Sequence, residues 1–591
     1  MSPYVTTPPS ADLVPVQHRA WWKEVSVYQI YPSSFKDTND DGIGDLEGII
    51  SKVDYMKKLG VDCVWLSPIL KSPQVDMGYD VADYRVIDAR YGTLEHVDRL
   101  IKELKSRDMK LLMDLVVNHT SDQHEWFLKS RSSKQNEYRD WYVWRPAKYD
   151  AEGVRHPPNN WQAAFQGSVW EWDELTQEYY LHIFAVEQPD LNWENPQVRA
   201  AVHDIMRFWL DRGADGFRMD VINFISKEPG LPDAPITNPD SPWQSGEHFY
   251  SAGPRLHEYL AGLGSILKEY NAFSVGEMPC VSDPKEVIKS VGYDRGELNM
   301  IFQFDHVDID YAPGPDGRFT LQSPKWSLSK LRVIFETMQK FMYANDGWNA
   351  LYLENHDQPR SVNRFACGCP QHRASSAKML ATFLCCQAGT PFIFQGQELG
   401  MTNVPKEWGI EEYKDLCTLN HWAELNKRTQ DPEILKAKLV EYQKKARDNA
   451  RTPMQWDDSP NAGFTCPSTE PWMRANDNYT SVNAASQIDD PHSPFSYWAK
   501  MLATRKEYKD LFVYGDFDVV DATSEDIFAY TRRSENGEKM LVICNFSPEK
   551  VQWNGEFSVP KKILMSTHER DLNGAAQGLV LKEYEALAIL L

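Results

Sequence analysis

Leu111-Leu-Met-Asp114-Leu-Val-Val117-Asn118-His119 is an apolar, partly β-branched run, broken once by Asp114, that closes on two polar residues. Gly216-Phe-Arg218-Met-Asp220, Val275-Gly-Glu277 and Glu354-Asn-His356-Asp357 share this grammar, each following apolar sequence. A strand entering a loop leaves its last side chains at the rim of its sheet, and a parallel barrel gathers such ends around one pocket. Working outward, β-branched or aromatic runs recur at residues 25–30, 61–66, 111–117, 216–219, 273–275, 300–304, 351–353 and 391–394. Between them, stretches such as 46–59, 94–107 and 198–212 repeat apolar residues at three- and four-residue spacing, as amphipathic helices do. Strand alternating with helix predicts an α/β protein built on a (β/α)8 TIM barrel.

At 591 residues the chain exceeds one ordinary core. Residues 119–195 are Trp-, Asn- and Pro-rich and far longer than a βα loop of about two to six residues. With Trp141, Trp144, Trp161, Trp170 and Trp172 to form a small core, they are expected to be a subdomain inserted after the third strand and leaning over the barrel mouth. The barrel then comprises 1–118, after a polar extension over 1–20, and 196–510. Residues 402–486 form a second irregular stretch, whose length suggests a functional loop. From 511 to 591 only short strands follow, which predicts a C-terminal antiparallel β-sandwich.

Hydrophobic residues at 42% and charged residues at 25% are ordinary for a globular protein. The formal charge of −22, with no dense basic run, argues against a nucleic-acid partner. Residues 1–18 lack the basic and apolar regions of a secretory signal, and no apolar run of about 18 residues occurs, so a cytoplasmic protein without a membrane partner is expected. The nine cysteines are scattered and odd in number, and neither Cys367/Cys369 nor Cys385/Cys386 has zinc-ligand spacing. They are read as reduced packing residues. Monomer and homodimer both stay open.

The four segments carry chemistry. Glycoside cleavage needs one carboxylate to attack the anomeric carbon and one carboxylic acid to protonate the departing oxygen, about 5 to 5.5 Å apart in retaining enzymes. Asp220 and Glu277 end the fourth and fifth strands, which places them side by side. Arg218 shares a strand face with Asp220 and would keep it ionised. Glu277 needs a raised pKa to hold its proton, and Asp357 can supply the neighbouring negative charge. His119 and His356 can donate hydrogen bonds to sugar hydroxyls. One Asp at a strand end is more often a helix cap or an ion-pair partner; four such segments in order, on a counted set of eight strands, are not explained that way.

These residues resemble glycoside hydrolase family thirteen, the α-amylase family, and within it the oligo-1,6-glucosidase and yeast-type maltase/isomaltase branch. The similarity runs from about Trp21 and includes Gln188-Pro-Asp-Leu-Asn192-Trp193, Gly389-Thr-Pro-Phe-Ile-Phe-Gln-Gly-Gln-Glu-Leu-Gly400 and Ala450-Arg-Thr-Pro-Met-Gln-Trp456. It implies Asp220 as nucleophile, Glu277 as acid/base and Asp357 as transition-state stabiliser. It implies a substrate pocket of Tyr79, Asp80, His119, Gln188, Arg218, His356 and Arg447, closed beyond one glucose, with Asp80 and Arg447 pairing across its floor. Val221 stands where isomaltase-like members carry Val and maltase-like members Thr or Ala, which tilts the expectation to α-1,6 bonds.

Asp37-Thr-Asn39-Asp-Asp41-Gly-Ile43-Gly-Asp45 sets oxygen donors at alternate positions around a glycine. Gly48 stands where an EF-hand has its twelfth-position glutamate. The resemblance implies a structural calcium, or magnesium, here. Two rival readings remain. A transglucosidase or sucrose isomerase would share the covalent intermediate, but Asp305-His-Val-Asp-Ile-Asp310 lacks the Arg-Leu-Asp-Arg-like patch associated with sucrose isomerases. A non-enzymatic transporter heavy chain would carry a membrane span and lack part of the catalytic set.

Overall fold

The structure, a computed structural model, describes residues 17–312, 317–321, 324–570 and 577–591. The polar extension falls outside these residues as far as residue 16.

Eight parallel strands form the barrel: β1 (Val27–Ile30), β2 (Cys63–Leu66), β3 (Lys110–Val116), β4 (Gly216–Asp220), β5 (Phe273–Glu277), β6 (Met300–Phe302), β7 (Ala350–Leu351) and β8 (Thr390–Phe394). They run in the order β6-β5-β4-β3-β2-β1-β8-β7, and a parallel bridge from Ile301 to Asn349 joins β6 to β7 and closes the ring. Val27, Cys63, Trp65, Leu112, Phe273, Val275, Met300, Phe302 and Phe392 fill the interior. The alternate residues Tyr28, Val64, Leu66, Met113, Phe217 and Met219 pack outward against the helices. Burial on both faces is why these strands read as unbroken apolar runs.

Period two also sets the site. Asp114 lies two residues beyond Leu112, Glu277 two beyond Val275, and Arg218 and Asp220 alternate along β4, so all four point inward. Gly216 lets β4 and β5 approach: a Cβ there would sit 2.1 Å from the Phe273 carbonyl oxygen. The register Met219–Gly276 then puts Asp220 and Glu277 at one level. The helix leading into β4, Pro196–Arg212, starts on the Asn195 cap with Pro at its first position and stops at Gly213, φ 111°.

After β3, the strands Trp144–Arg145, Trp170–Asp173 and Glu178–Leu181 make a small antiparallel sheet. Its core is shared: Trp161 and Trp170 pack with Val221, Phe224 and Tyr250 from the segment after β4. Trp144 joins the main core instead, and Trp141 and Trp172 are only half-buried. Residues 402–486 are not irregular throughout. They hold the helices Leu416–Arg428 and Pro432–Lys445, capped by Asp415 and Asp431.

The C-terminal strands are β9 (Asp518–Val519), β10 (Ile527–Arg533), β11 (Lys539–Asn545), β12 (Val551–Glu556), β13 (Lys562–Ser566), β14 (Gln577–Leu581) and β15 (Ala586–Leu590). They form one antiparallel sheet, β9-β10-β11-β15-β13, and a pair, β12-β14. Leu541, Ile543, Trp553, Leu581, Leu587 and Ile589 pack between them. The run expected as one strand over 579–591 is two strands, split at Tyr584, φ 50°.

Cys367 and Cys369 are joined by a disulfide, which corrects the reading of nine reduced thiols. A turn before the helix Arg373–Cys385 brings their Cα atoms to 5.3 Å, a separation such a bond spans. Cys63, Cys385, Cys386 and Cys544 are free and buried, as packing residues should be. Among the described residues no helix is long and apolar enough to cross a membrane.

Candidate active site

At the C-terminal ends of the strands lies a cavity of about 720 Å³ lined by Asp220, Glu277 and Asp357. Arg218, fully buried behind them, reaches Asp220 Oδ1 with Nη1 and Glu277 Oε2 with Nη2, each at 2.6 Å. One guanidinium thus spans both carboxylates, which suits the short separation of a retaining pair. Nη1 also meets Asp114 Oδ1 at 3.0 Å.

The three carboxyls titrate apart. Burial, reinforced by the charges of Asp220 and Asp357 and opposed by Arg218, pushes Glu277 up to about 8. Burial pushes Asp220 up to about 7 against the pull of Arg218. The expectation that Arg218 simply holds Asp220 ionised is therefore modified: one cation serves three carboxylates and does not fully offset their desolvation. Asp357 is half-buried, and His356 while protonated at low pH, together with Arg447, Arg451 and Arg318, holds it well below the usual carboxylate range. As pH rises, Asp357 ionises first, and Asp220 and Glu277, which share Arg218, give up their protons around neutrality. Around neutrality the three can therefore present a carboxylate, a carboxylic acid and a fixed negative charge together.

The pocket floor differs from expectation at one residue. Asp80 does not meet Arg447; it is buried behind the wall, accepting from Ser72 Oγ at 2.9 Å, Val75 N at 2.8 Å and Asp76 N at 3.1 Å. Asp76 takes the assigned place, with Oδ1 3.2 Å from Arg447 Nη2. The chain reverses at Met77 (φ 50°) and Gly78 (φ 101°), with Tyr79 N bonded to Asp76 O, so Asp76 and Tyr79 emerge side by side into the cavity and Asp80 turns back into the loop.

Tyr79 stacks on His356, ring centroids 5.2 Å apart, and its hydroxyl lies 2.6 Å from His356 Nε2. His356 is wholly buried beneath it, and burial drives its pKa down to about 3, so the ring is neutral. It props Tyr79 and Asp357 and does not line the cavity. His119 does line it. Gln188 sits behind, donating to Asp76 Oδ2 at 3.1 Å and lying 3.2 Å from His119 Nε2. Val221 lines the cavity at φ 32°, ψ 45°, a conformation a β-branched residue holds only when its surroundings impose it. Its N–H reaches Glu277 Oε2 at 3.3 Å.

Arg447 lies 2.6 Å from Asp415 and 3.4 Å from Asp357, while Arg451 reaches Asp357 at 2.5 Å. Asp415 and Arg451 had no role in the sequence reading. Arg451 stood inside a quoted motif, and Asp415 presented only the signal of a helix cap, which it also is.

In the loop after β1, the oxygen donors expected for a metal are engaged with the backbone. Asp37 accepts from Asn39 N, Asp40 N and Gly42 N, Asp41 from Ile43 N, and Asp45 from Thr38 N and, as a helix cap, Gly48 N. Among the described residues no group of three or more acidic, histidine or cysteine side chains is gathered to hold a metal. The donor set is all oxygen, which fits a hard cation.

The chain is 52% identical to an α-glucosidase of Schizosaccharomyces pombe, covering 96% of this chain and 98% of the relative. It is 50% identical to an oligo-1,6-glucosidase of Parageobacillus thermoglucosidasius, covering 93% and 94%. Among solved structures, isomaltulose synthase of Erwinia rhapontici NX5 superposes with a TM-score of 0.90 at 40% identity, covering 97% of this chain and 99% of that one. Trehalose-6-phosphate hydrolase of Bacillus licheniformis gives 0.88 at 39%, covering 97% and 100%. With the alpha amylase catalytic-domain family model matching residues 29–515, the chain belongs to the α-amylase family of glycoside hydrolases.

Proposed function

We propose that the protein is a retaining, exo-acting α-glucosidase that releases a terminal glucose from short α-glucosides, with isomaltose-type α-1,6 bonds favoured. The carrying observation is the pair Asp220 and Glu277 on one guanidinium, set against a floor built by Asp76, Asp357 and Arg447. Asp220 attacks the anomeric carbon while Glu277 gives its proton to the departing oxygen, forming a glucosyl–Asp220 ester. A water molecule then gives a proton to Glu277 and attacks the same carbon, releasing α-glucose and both carboxyls in their starting state. Asp357 faces the positive charge that develops on the sugar. The floor ends the pocket beyond one glucose, which supports exo cleavage, and the oligo-1,6-glucosidase relative supports the linkage.

NMR of products from maltose, isomaltose, sucrose and starch tests this. α-Glucose appears first from the non-reducing end; β-glucose would refute retention, and internal cutting of starch would refute the closed floor. Transfer of the glucosyl group to a sugar is the second reading, favoured by the likeness to isomaltulose synthase. The same spectra separate it by its new glycosidic signals. We also propose that Asp37, Asn39, Asp41, the Ile43 carbonyl and Asp45 hold a structural calcium or magnesium. In its support, no ion pair with a cation is formed by Asp37, Asp40, Asp41 or Asp45 among the described residues.

A further inference from the structure

Past Glu277 the cavity opens into a lobe walled by loops after β4, β5 and β6: Glu247, Cys280, Ser282, Phe304, Asp305 and Asp308 all line it. Glu277 protonates the departing oxygen, so the leaving group occupies this lobe, opposite the floor that grips glucose. Its acidic residues are not equivalent. Asp305 accepts from Ser282 Oγ at 2.6 Å. Asp310, behind the cavity lining, is paired with Arg364, which also donates to the Val307 carbonyl. Asp308 is exposed into the cavity, and among the described residues no donor hydrogen-bonds its carboxylate. Arg318, which lines the same cavity, donates from Nε to the Lys445 carbonyl and from Nη2 to the Asp357 carbonyl, and hydrogen-bonds neither oxygen of Asp308. The lobe therefore presents Glu247, Asp305 and Asp308 to whatever enters, with Asp308 free to engage it.

Resting on the α-glucosidase reading, we propose that Asp308 sets the charge selectivity of the leaving-group side: neutral polyhydroxy and cationic leaving groups are accepted, and leaving groups carrying a carboxylate or phosphate are rejected. An unpaired carboxylate accepts hydrogen bonds from hydroxyls and ammonium groups at no loss of an existing partner. An anion brought beside it meets like-charge repulsion that discriminates against the wrong ligand. The cavity walls around it and the neighbouring Asp305 and Asp310 push Asp308 up to about 6 against Arg318 and Arg364, so it is mainly charged at neutral pH.

Three size-matched substrates test this: 6-O-α-glucosyl sorbitol (neutral), 6-O-α-glucosyl gluconate (anionic) and 1-amino-1-deoxy-6-O-α-glucosyl sorbitol (cationic). For the full-length enzyme kcat/KM for the gluconate should fall about tenfold or more below that for the sorbitol, and the amine should match or exceed it. Asp308→Asn should shrink the anion penalty, Asp308→Lys should reverse the order, and Asp308→Glu should retain it. The readout is a ratio within each variant, so a partly folded preparation still reports. Equal rates on the three substrates, or a ratio that Asp308→Asn leaves unmoved, overturns the proposal while sparing the reaction; failure to cleave any of them overturns both.

Discussion

Asp76→Asn and Asp80→Asn, two substitutions of the same type four residues apart, should break different things. Asp76 faces the cavity, and its charge is shared between Arg447 and any hydroxyl of the bound glucose. Losing one charge-assisted hydrogen bond to substrate is worth about 1.5 to 3 kcal/mol. At 1.4 kcal/mol per decade this lowers kcat/KM between about tenfold and about 150-fold. Because the lost contact is to the glucose, isomaltose, maltose and an aryl α-glucoside should lose by the same factor. Folding stability should hold, since burial already raises the pKa of Asp76 and its ionised form is an expense to the folded state. Asp80 instead gathers one hydroxyl and two backbone N–H groups. An amide at this position turns a donor toward one of them, and an unsatisfied buried donor costs about 1 to 3 kcal/mol. Asp80→Asn should therefore lower the melting temperature, with a smaller loss in kcat/KM. Paired initial-rate and thermal-shift measurements decide it. An Asp80→Asn enzyme with unchanged melting temperature and the larger catalytic loss would refute the assignment of the floor.

Glu277 sits at about 8 when folded against an ordinary 4.5, so the unfolded chain gives up this proton first and the folded state loses stability as pH rises from about 4.5 through about 8. At 1.36 kcal/mol per unit the effect is about 5 kcal/mol at most, and Glu277→Gln should gain on the parent in melting temperature between about pH 5 and pH 8; an equal difference at both ends would show the group is not raised. Val221→Thr should raise the maltose-to-isomaltose rate ratio, within the about 1 to 3 kcal/mol a methyl-scale change commands, and an unchanged ratio in competition assays would remove the linkage argument. Chelation should lower the melting temperature and re-addition of calcium restore it; an unmoved transition together with no metal by elemental analysis would end the metal proposal.

What could be read from the chain depended on whether a feature repeats with a period. Arg218, Asp220 and Glu277 were legible because inward positions on a strand recur every second residue and the apolar runs mark the strands. Asp76 and Asp80 were not separable in this way: which of them faces the pocket depends on the left-handed turn at Met77 and Gly78, and Met rarely announces such a turn. The helices Leu416–Arg428 and Pro432–Lys445 escaped because each buries little, chiefly Thr418 and His421 in one and Tyr442 and Lys445 in the other, so no apolar stripe betrays them. The link between Cys367 and Cys369 followed from a local turn that no spacing rule describes.

The arrangement also divides the work of the barrel. On the proposed reading, glucose is gripped by Asp76 and Tyr79 after β2, His119 after β3, Asp357 after β7 and Arg447 after β8, a set bound together by Arg451, Asp415, Gln188 and His356. On the same reading the leaving group meets Val221 after β4, the loop around Ser282 after β5 and Asp305 and Asp308 after β6, all of which line the cavity. Asp220 and Glu277 stand at the seam, held by one arginine that belongs to neither wall. A change on the leaving-group wall can therefore alter linkage or charge preference without loosening the cross-braced floor, whereas a change to Asp357, Asp415, Arg447 or Arg451 disturbs more than one ion pair at once. That asymmetry accounts for how one scaffold can keep a fixed taste for terminal glucose while its choice of partner sugar, or of water, rests on a few side chains such as Val221 and Asp308.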